Sequence, residues 1–175
     1  MKNRGLIFFA SLVLTFLVDQ ATKYAVVANI PWEVGRPTYH FAGDSQPIPI
    51  IENFLYLVHI TNEGAAWGIL SGQTYLLSSI AIVAIAALWL FRSYLGFSTA
   101  LGQFTMGIFA GGVLGNLFDR IYYGHVIDFI DIHLPLINYR WPAFNIADCG
   151  ICIGVVIYIV SVLFEDFFVA RKSSR

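Results

Sequence analysis

Charged side chains are scarce in this chain. Lys, Arg, Asp and Glu make up 12% of its 175 residues, about half of what a soluble domain of this size carries. Positive charge is not in excess either. The formal net charge is -1, which leaves no basic surface to suggest nucleic acid. No glycine loop suited to a nucleotide is present: the run Gly111-Gly112-Val113-Leu114-Gly115 lies inside an apolar stretch and lacks a following Lys. There is no His-Glu-x-x-His zinc motif. Cysteine is limited to Cys149 and Cys152. What the chain has in abundance is hydrocarbon, with 58% hydrophobic residues and a mean hydropathy of +0.71. It therefore reads as a membrane protein with most of its length in or against the bilayer.

A membrane-crossing helix needs roughly 20 mainly apolar residues. Four stretches qualify, at about 5–28, 73–91, 100–118 and 146–169. The expected architecture is a single integral membrane domain over 1–175, all-α with a small β element. It is a four-transmembrane-helix bundle with a small extracytoplasmic β-rich cap. An even number of spans puts both termini on one side. Lys2 and Arg4 precede the first span, Arg92 lies between the second and third, and Arg171, Lys172 and Arg175 follow the fourth. These cations assign the termini to the cytoplasm. The segments at about 29–72 and 119–145 are then extracytoplasmic, carrying Glu33, Asp44, Glu52, Glu63, Asp119, Asp128 and Asp131. The N-terminus resembles a signal peptide in outline. Asp19 and Lys23 stand where a small-residue cleavage site belongs, so the stretch reads as a retained span.

Polar residues gather at the outer ends of these spans. Asp19 and Lys23 are four apart and share a helix face. Lys23 reads as an interfacial anchor snorkelling outward, and Asp19 equally as its partner or as support for an outer site. Pro31, Pro37, Pro47 and Pro49 predict loop and edge strand over 29–53. The run Phe54-Leu55-Tyr56-Leu57-Val58-His59-Ile60 is aromatic and β-branched, hence a strand, with His59 and His40 on the surface. Asn62 follows among small residues. Its amide suits holding a peptide backbone or capping the second span. Gly107, Gly111 and Gly115 are four apart and predict a close helix–helix contact. Arg120 reads as a helix-end anchor paired with Asp119 or as a ligand for a head group or carboxylate. Val126–Ile132 reads as a short strand, and Pro135 and Pro142 as breaks after it. Asp148 falls in the first turn of the last span, where the helix dipole favours a carboxylate.

Asp128 and Asp148 both sit in strongly apolar text, where an ionisable residue marks a functional site. Both fall on the same side of the membrane at similar depth. Two carboxylates about 3 Å apart share a proton and titrate as a pair. One can then deprotonate water while the other polarises a peptide carbonyl. Two other chemistries fit some of these residues. His125, Asp128, Asp131 and His133 could ligate zinc, although their spacing matches no zinc motif. Cys149-Gly150-Ile151-Cys152 has the spacing of a redox pair, although such relays need a second pair. The acidic groups gather at one face, which disfavours a transmembrane proton relay.

Five motifs in order give the chain a family resemblance. They are Asp19-Gln20-x-x-Lys23, Asn62-x-Gly64-Ala65-Ala66, Gly111-Gly112-x-x-Gly115-Asn116-x-x-Asp119-Arg120, Val126-Ile127-Asp128-Phe129 and Phe144-Asn145-x-Ala147-Asp148. Together they resemble the lipoprotein signal peptidases, signal peptidase II. The resemblance implies an aspartic endopeptidase of the bacterial cytoplasmic membrane that uses neither metal nor cofactor. It would cut prolipoproteins just before a diacylglyceryl-modified cysteine, near the extracytoplasmic face. Asp128 and Asp148 match the catalytic dyad. Asn62, Gly64, Asn116, Arg120 and Asn145 match positions lining the site, and Asp19 and Lys23 match supporting positions. The implied partners are the lipidated substrate, membrane lipids and the inhibitor globomycin, with the protein a monomer. The chain departs from the family pattern at Cys149, where Ser or Thr is commoner, at Glu63 and Trp67, and in a longer loop at 38–47.

Overall fold

The computed structural model describes residues 5–30 and 47–173, with the side chains of the last helix described through Phe164. Lys2, Arg4, Glu33, His40, Asp44, Arg175 and the loop at 38–46 lie outside the described residues, as do the side chains of Arg171 and Lys172. Among the described residues four α-helices and four strands follow in the order α1 (Leu6–Asn29), β1 (Ile48–Ile51), β2 (Leu55–Asn62), α2 (Thr74–Leu90), α3 (Ala100–Tyr122), β3 (Val126–Leu134), β4 (Tyr139–Phe144) and α4 (Ile146–Ser173). Among the described residues three helices are long and apolar enough to cross a membrane: α1, α3 and the 146–164 part of α4. The fourth expected span, α2, is a shorter apolar helix of 17 residues.

Helix α3 is the buried member of the bundle and packs against both α1 and α4. Backbone proximity makes this possible. A Cβ on Gly107 would lie 2.0 Å from Ser11 Oγ, and one on Gly111 would lie 2.6 Å from Leu12 O. The glycine strip expected from the sequence thus faces α1. On the neighbouring face Gly112 admits α4, since a Cβ there would be 2.3 Å from Ala147 O. Burial of this kind, rather than a hydrophobic drive, holds helices together in lipid.

The strands form one antiparallel sheet in the order β1-β2-β3-β4. Pro49 and Pro142 occupy its two edge strands, where a missing N–H costs no ladder bond. Pro142 therefore does not break the chain as expected from the sequence; it sits inside β4. Ile127 and Phe129 of β3 pack against Val26 and Ile30 at the end of α1, which fixes the sheet to the bundle. Their alternate neighbour Asp128 consequently points to the other face.

The stretch expected at about 100–118 lies within α3, which runs on to Tyr122. Asn116, Asp119 and Arg120 are therefore helical. Asn116 and Asp119 do not end this helix because their side chains are satisfied inside the protein.

Candidate active site

Asp128 lies on the central strand β3, paired in register with Ile60 of β2. Asn62, at the end of β2, shares its face and donates from Nδ2 to Asp128 Oδ2 at 2.9 Å. The other end of that amide, Oδ1, accepts from Gly64 N at 2.9 Å. Asn62 thus has no capping role at α2, which begins twelve residues later after Gln73. Gly64 has no room for a side chain, because a Cβ would stand 2.8 Å from Ile69 O.

Asp148 enters from α4. Asn145 is the residue just before that helix, and its Oδ1 accepts from Asp148 N at 2.9 Å. Asp148 Oδ2 accepts in return from Asn145 N at 3.2 Å. This is a capping box built from Asn and Asp. Asn145 Nδ2 meanwhile donates to Asp128 Oδ1 at 2.7 Å. One residue therefore ties both carboxyl groups, one through its backbone and one through its amide. Asn116 adds a donor to Asp148 Oδ1 at 2.7 Å.

Beneath the two aspartates lies an ion cluster. Lys23 is 1% exposed, and its Nζ is 2.9 Å from Asp19 Oδ2 and 2.7 Å from Asp119 Oδ2. The outward snorkelling expected for Lys23 does not occur. With two carboxylates and an amide oxygen around it, the ammonium is compensated inside the protein. Asp19 Oδ1 accepts from Ala147 N at 2.8 Å and so holds a second amide of the first turn of α4. Gln20 Nε2 bridges Asp19 Oδ2 and Asp119 Oδ1 at 3.1 and 3.0 Å. Asp119 Oδ2 also accepts from Ile127 N at 3.2 Å, which locks α3 to β3 one residue before Asp128.

Arg120 is not paired with Asp119. Its Nη2 donates to Gly64 O at 2.9 Å, and its Nε is buried without a hydrogen-bond partner among the described residues. The charges of Asp148 and Asp128 both act on it. Asp119 and Gln20 were the residues whose role sequence reasoning missed. The signal was present, because Asn116 and Asp119 are three apart and face the same side of α3.

Burial pushes the carboxyl of Asp128 up to about 7, with the negative charge of Asp148 adding to the effect. The amides of Asn62 and Asn145 and the charge of Lys23 oppose it. Asp128 therefore titrates near neutral pH rather than in the ordinary carboxylate range. This is the electrostatic condition for two acids to keep one proton between them.

The set proposed for zinc does not assemble. Asp131 is paired with Arg140, Asp128 with the two amides, and among the described residues no three His, Cys, Asp or Glu side chains are placed to hold a metal. His59 is not a free surface group; its Nδ1 lies 2.9 Å from Ile30 O. Cys149 and Cys152 are both free thiols, one half-buried and one exposed.

Residues 11–164 match the family model described as signal peptidase (SPase) II. The chain belongs to the signal peptidase II family. It is 38% identical over 156 residues to the lipoprotein signal peptidase of Ralstonia nicotianae, covering 86% of this chain and 80% of that one. It is 37% identical over 158 residues to the lipoprotein signal peptidase of Syntrophotalea carbinolica, covering 87% and 86%. Two solved bacterial membrane enzymes, determined by the in meso method at 2.3 and 1.9 Å resolution, share its fold. The first has a TM-score of 0.74 at 31% identity, over 91% of this chain and 88% of that one. The second has a TM-score of 0.69 at 32% identity, over 89% and 92%. As a signal peptidase II the chain is a membrane protease.

Proposed function

We infer that this chain is the aspartic endopeptidase that removes signal peptides from bacterial prolipoproteins, with Asp128 and Asp148 as its catalytic dyad. The observation that carries the reading is the tie of both carboxyl groups to Asn145 in a chain of this family. The ionised partner takes a proton from water, and the protonated one polarises the scissile carbonyl. After attack the shared proton passes to the leaving amine. Arg120, with Nε unpaired beside the dyad, is suited to a carbonyl of the bound peptide. Asn62, Gly64, Asn116 and Asn145 line and hold the site, and Asp19 and Lys23 support it from below. No metal or cofactor is required.

The substrate chemistry is what membership of the family implies, and the layout of the chain suits it. The cut falls just before a diacylglyceryl-modified cysteine. Its acyl chains stay in lipid while the signal helix lies against the spans, and the bond reaches the outer rim of the bundle. Helix α2 rises about 26 Å at the usual pitch, close to the roughly 30 Å hydrocarbon core, which supports a fourth crossing. The basic residues near both termini then put them in the cytoplasm and the β-rich cap outside. Globomycin is expected to occupy the same site, and the enzyme to work as a monomer in the bacterial cytoplasmic membrane, surrounded by its lipids.

Cleavage of a diacylglyceryl-modified precursor by purified protein in detergent tests this reading. Asp128→Asn and Asp148→Asn should each reduce turnover by roughly 10³-fold or more. Variants cutting at the wild-type rate would remove the dyad. A chelator should leave the rate unchanged, and its loss would restore the zinc reading.

A further inference from the structure

The third partner of Lys23 reaches beyond the ion pair to an amide of the site. Its ammonium carries three N–H donors. Two go to Asp19 and Asp119, which suffice to compensate the charge. The third goes to Asn116 Oδ1 at 3.0 Å, the amide that serves Asp148. An ammonium accepts nothing, so Asn116 must turn its oxygen to Lys23 and its NH2 to Asp148, 2.7 Å away. The same Oδ1 lies 3.1 Å from Asn145 Nδ2. Asn145, whose Oδ1 is already held by Asp148 N–H, donates from the same Nδ2 to Asp128 Oδ1 at 2.7 Å. One cation sets the direction of the Asn116 amide, and the two amides, joined at the Asn116 oxygen, end on different aspartates.

The geometry points to Lys23 as a positioning residue for the hydrolysis, fixing the amide of Asn116 so that Asp148 faces an N–H donor and Asn145 finds an acceptor beside the one it serves on Asp128. This rests on the reading of Asp128 and Asp148 as the dyad. Were Asn116 to turn over, its oxygen would meet the Asp148 carboxylate, acceptor against acceptor. The ionised form of the dyad would then persist only at higher pH. The charged groups around the relay come from every element packed on it. They are Asp19 from α1, Asp119 and Arg120 from α3, Asp128 from β3 and Asp148 from α4. Lys23 is the cation that touches the amide.

The deciding variant is Lys23→Met/Asp119→Asn, assayed as purified full-length enzyme on the lipidated precursor. It removes one charge of each sign, so the buried cluster keeps its net charge, and residue 119 keeps an oxygen for Ile127 N–H. Turnover should fall about 30-fold or more, with KM changed by no more than about 3-fold. The acidic limb of the kcat–pH profile should move up by about one unit. A folded double variant with the wild-type kcat and pH profile overturns the inference, even if Asp128→Asn and Asp148→Asn are inactive. If those two are active, the dyad reading itself has failed. Should the double variant not fold, Lys23→Arg decides, since it keeps charge and donors. It should retain about a tenth or more of kcat with the acidic limb unmoved. A folded Lys23→Arg enzyme whose kcat collapses and whose limb shifts overturns the inference as well.

Discussion

Asn145 and Asp148 exchange hydrogen bonds in both directions, side chain to backbone each way. The pair opens α4 and at the same time aims a carboxylate at the neighbouring sheet. The start of the helix and the geometry of the site are thus one set of bonds. The site cannot loosen without fraying the helix.

That coupling separates under mutation. Asn145→Ala removes the cap and the amide on Asp128, and should cost about 1–2 kcal/mol of stability and roughly 100-fold or more in turnover. Asn145→Ser restores a capping oxygen but no NH2. It should melt close to wild type in detergent while remaining as slow as the Ala variant. Recovery of activity together with stability would show that the amide on Asp128 is dispensable.

Asp128 makes stability depend on pH in a defined sense. Its carboxyl is held near 7 in the folded protein against an ordinary 3.8. Between those values the native state binds the proton that the unfolded chain releases. The stabilisation is present in full below the lower value and is lost as pH rises through the higher one. Its size is on the order of 4 kcal/mol. Thermal midpoints of wild type should fall from pH 4 to pH 8 relative to those of Asp128→Asn. Parallel curves would contradict a raised Asp128.

Gly115 should tolerate no side chain. A Cβ there would lie 2.4 Å from Asp19 Oδ2 and 3.3 Å from Ala147 Cβ. Gly115→Ala must displace the carboxylate that holds Lys23 and the amide of Ala147. Overpacking alone costs about 1–3 kcal/mol, and turnover should drop with it by roughly 10-fold or more. Gly124→Ala is the control. Its φ of +81° is strained for alanine, but nothing lies within 4 Å, so about 1–2 kcal/mol is the expected loss. Melting and cleavage measured on both variants check the contrast.

The thiols should prove silent. Cys149 and Cys152 are free and hold no bond to either aspartate through their side chains. Cys149→Ala/Cys152→Ala should keep turnover within about 3-fold. Abolished activity in that variant, with Asp128→Asn still active, would favour thiol chemistry.

Much of this was legible in the chain. Asp128 and Asp148 stand out because a carboxylate in apolar text is costly. The bundle helices follow from run length, and β2 from its aromatic and β-branched residues. Pro142 was misread because edge position is a property of the sheet order, which no local window contains. Lys23 was misread because the sequence offers Asp19 four residues away but hides Asp119, which reaches it from another helix.

The sequence by itself determined a lipid-embedded chain, the stretches that become its helices, and the two isolated acids proposed as its dyad. These are local quantities, set by hydropathy over a window and by the cost of an isolated charge. Only the tertiary structure decided that Asn145 serves both acids, that Lys23 is buried, and that Arg120 turns to Gly64. Those outcomes depend on which donors and acceptors meet across elements far apart in the chain, and burial makes every such pairing obligatory.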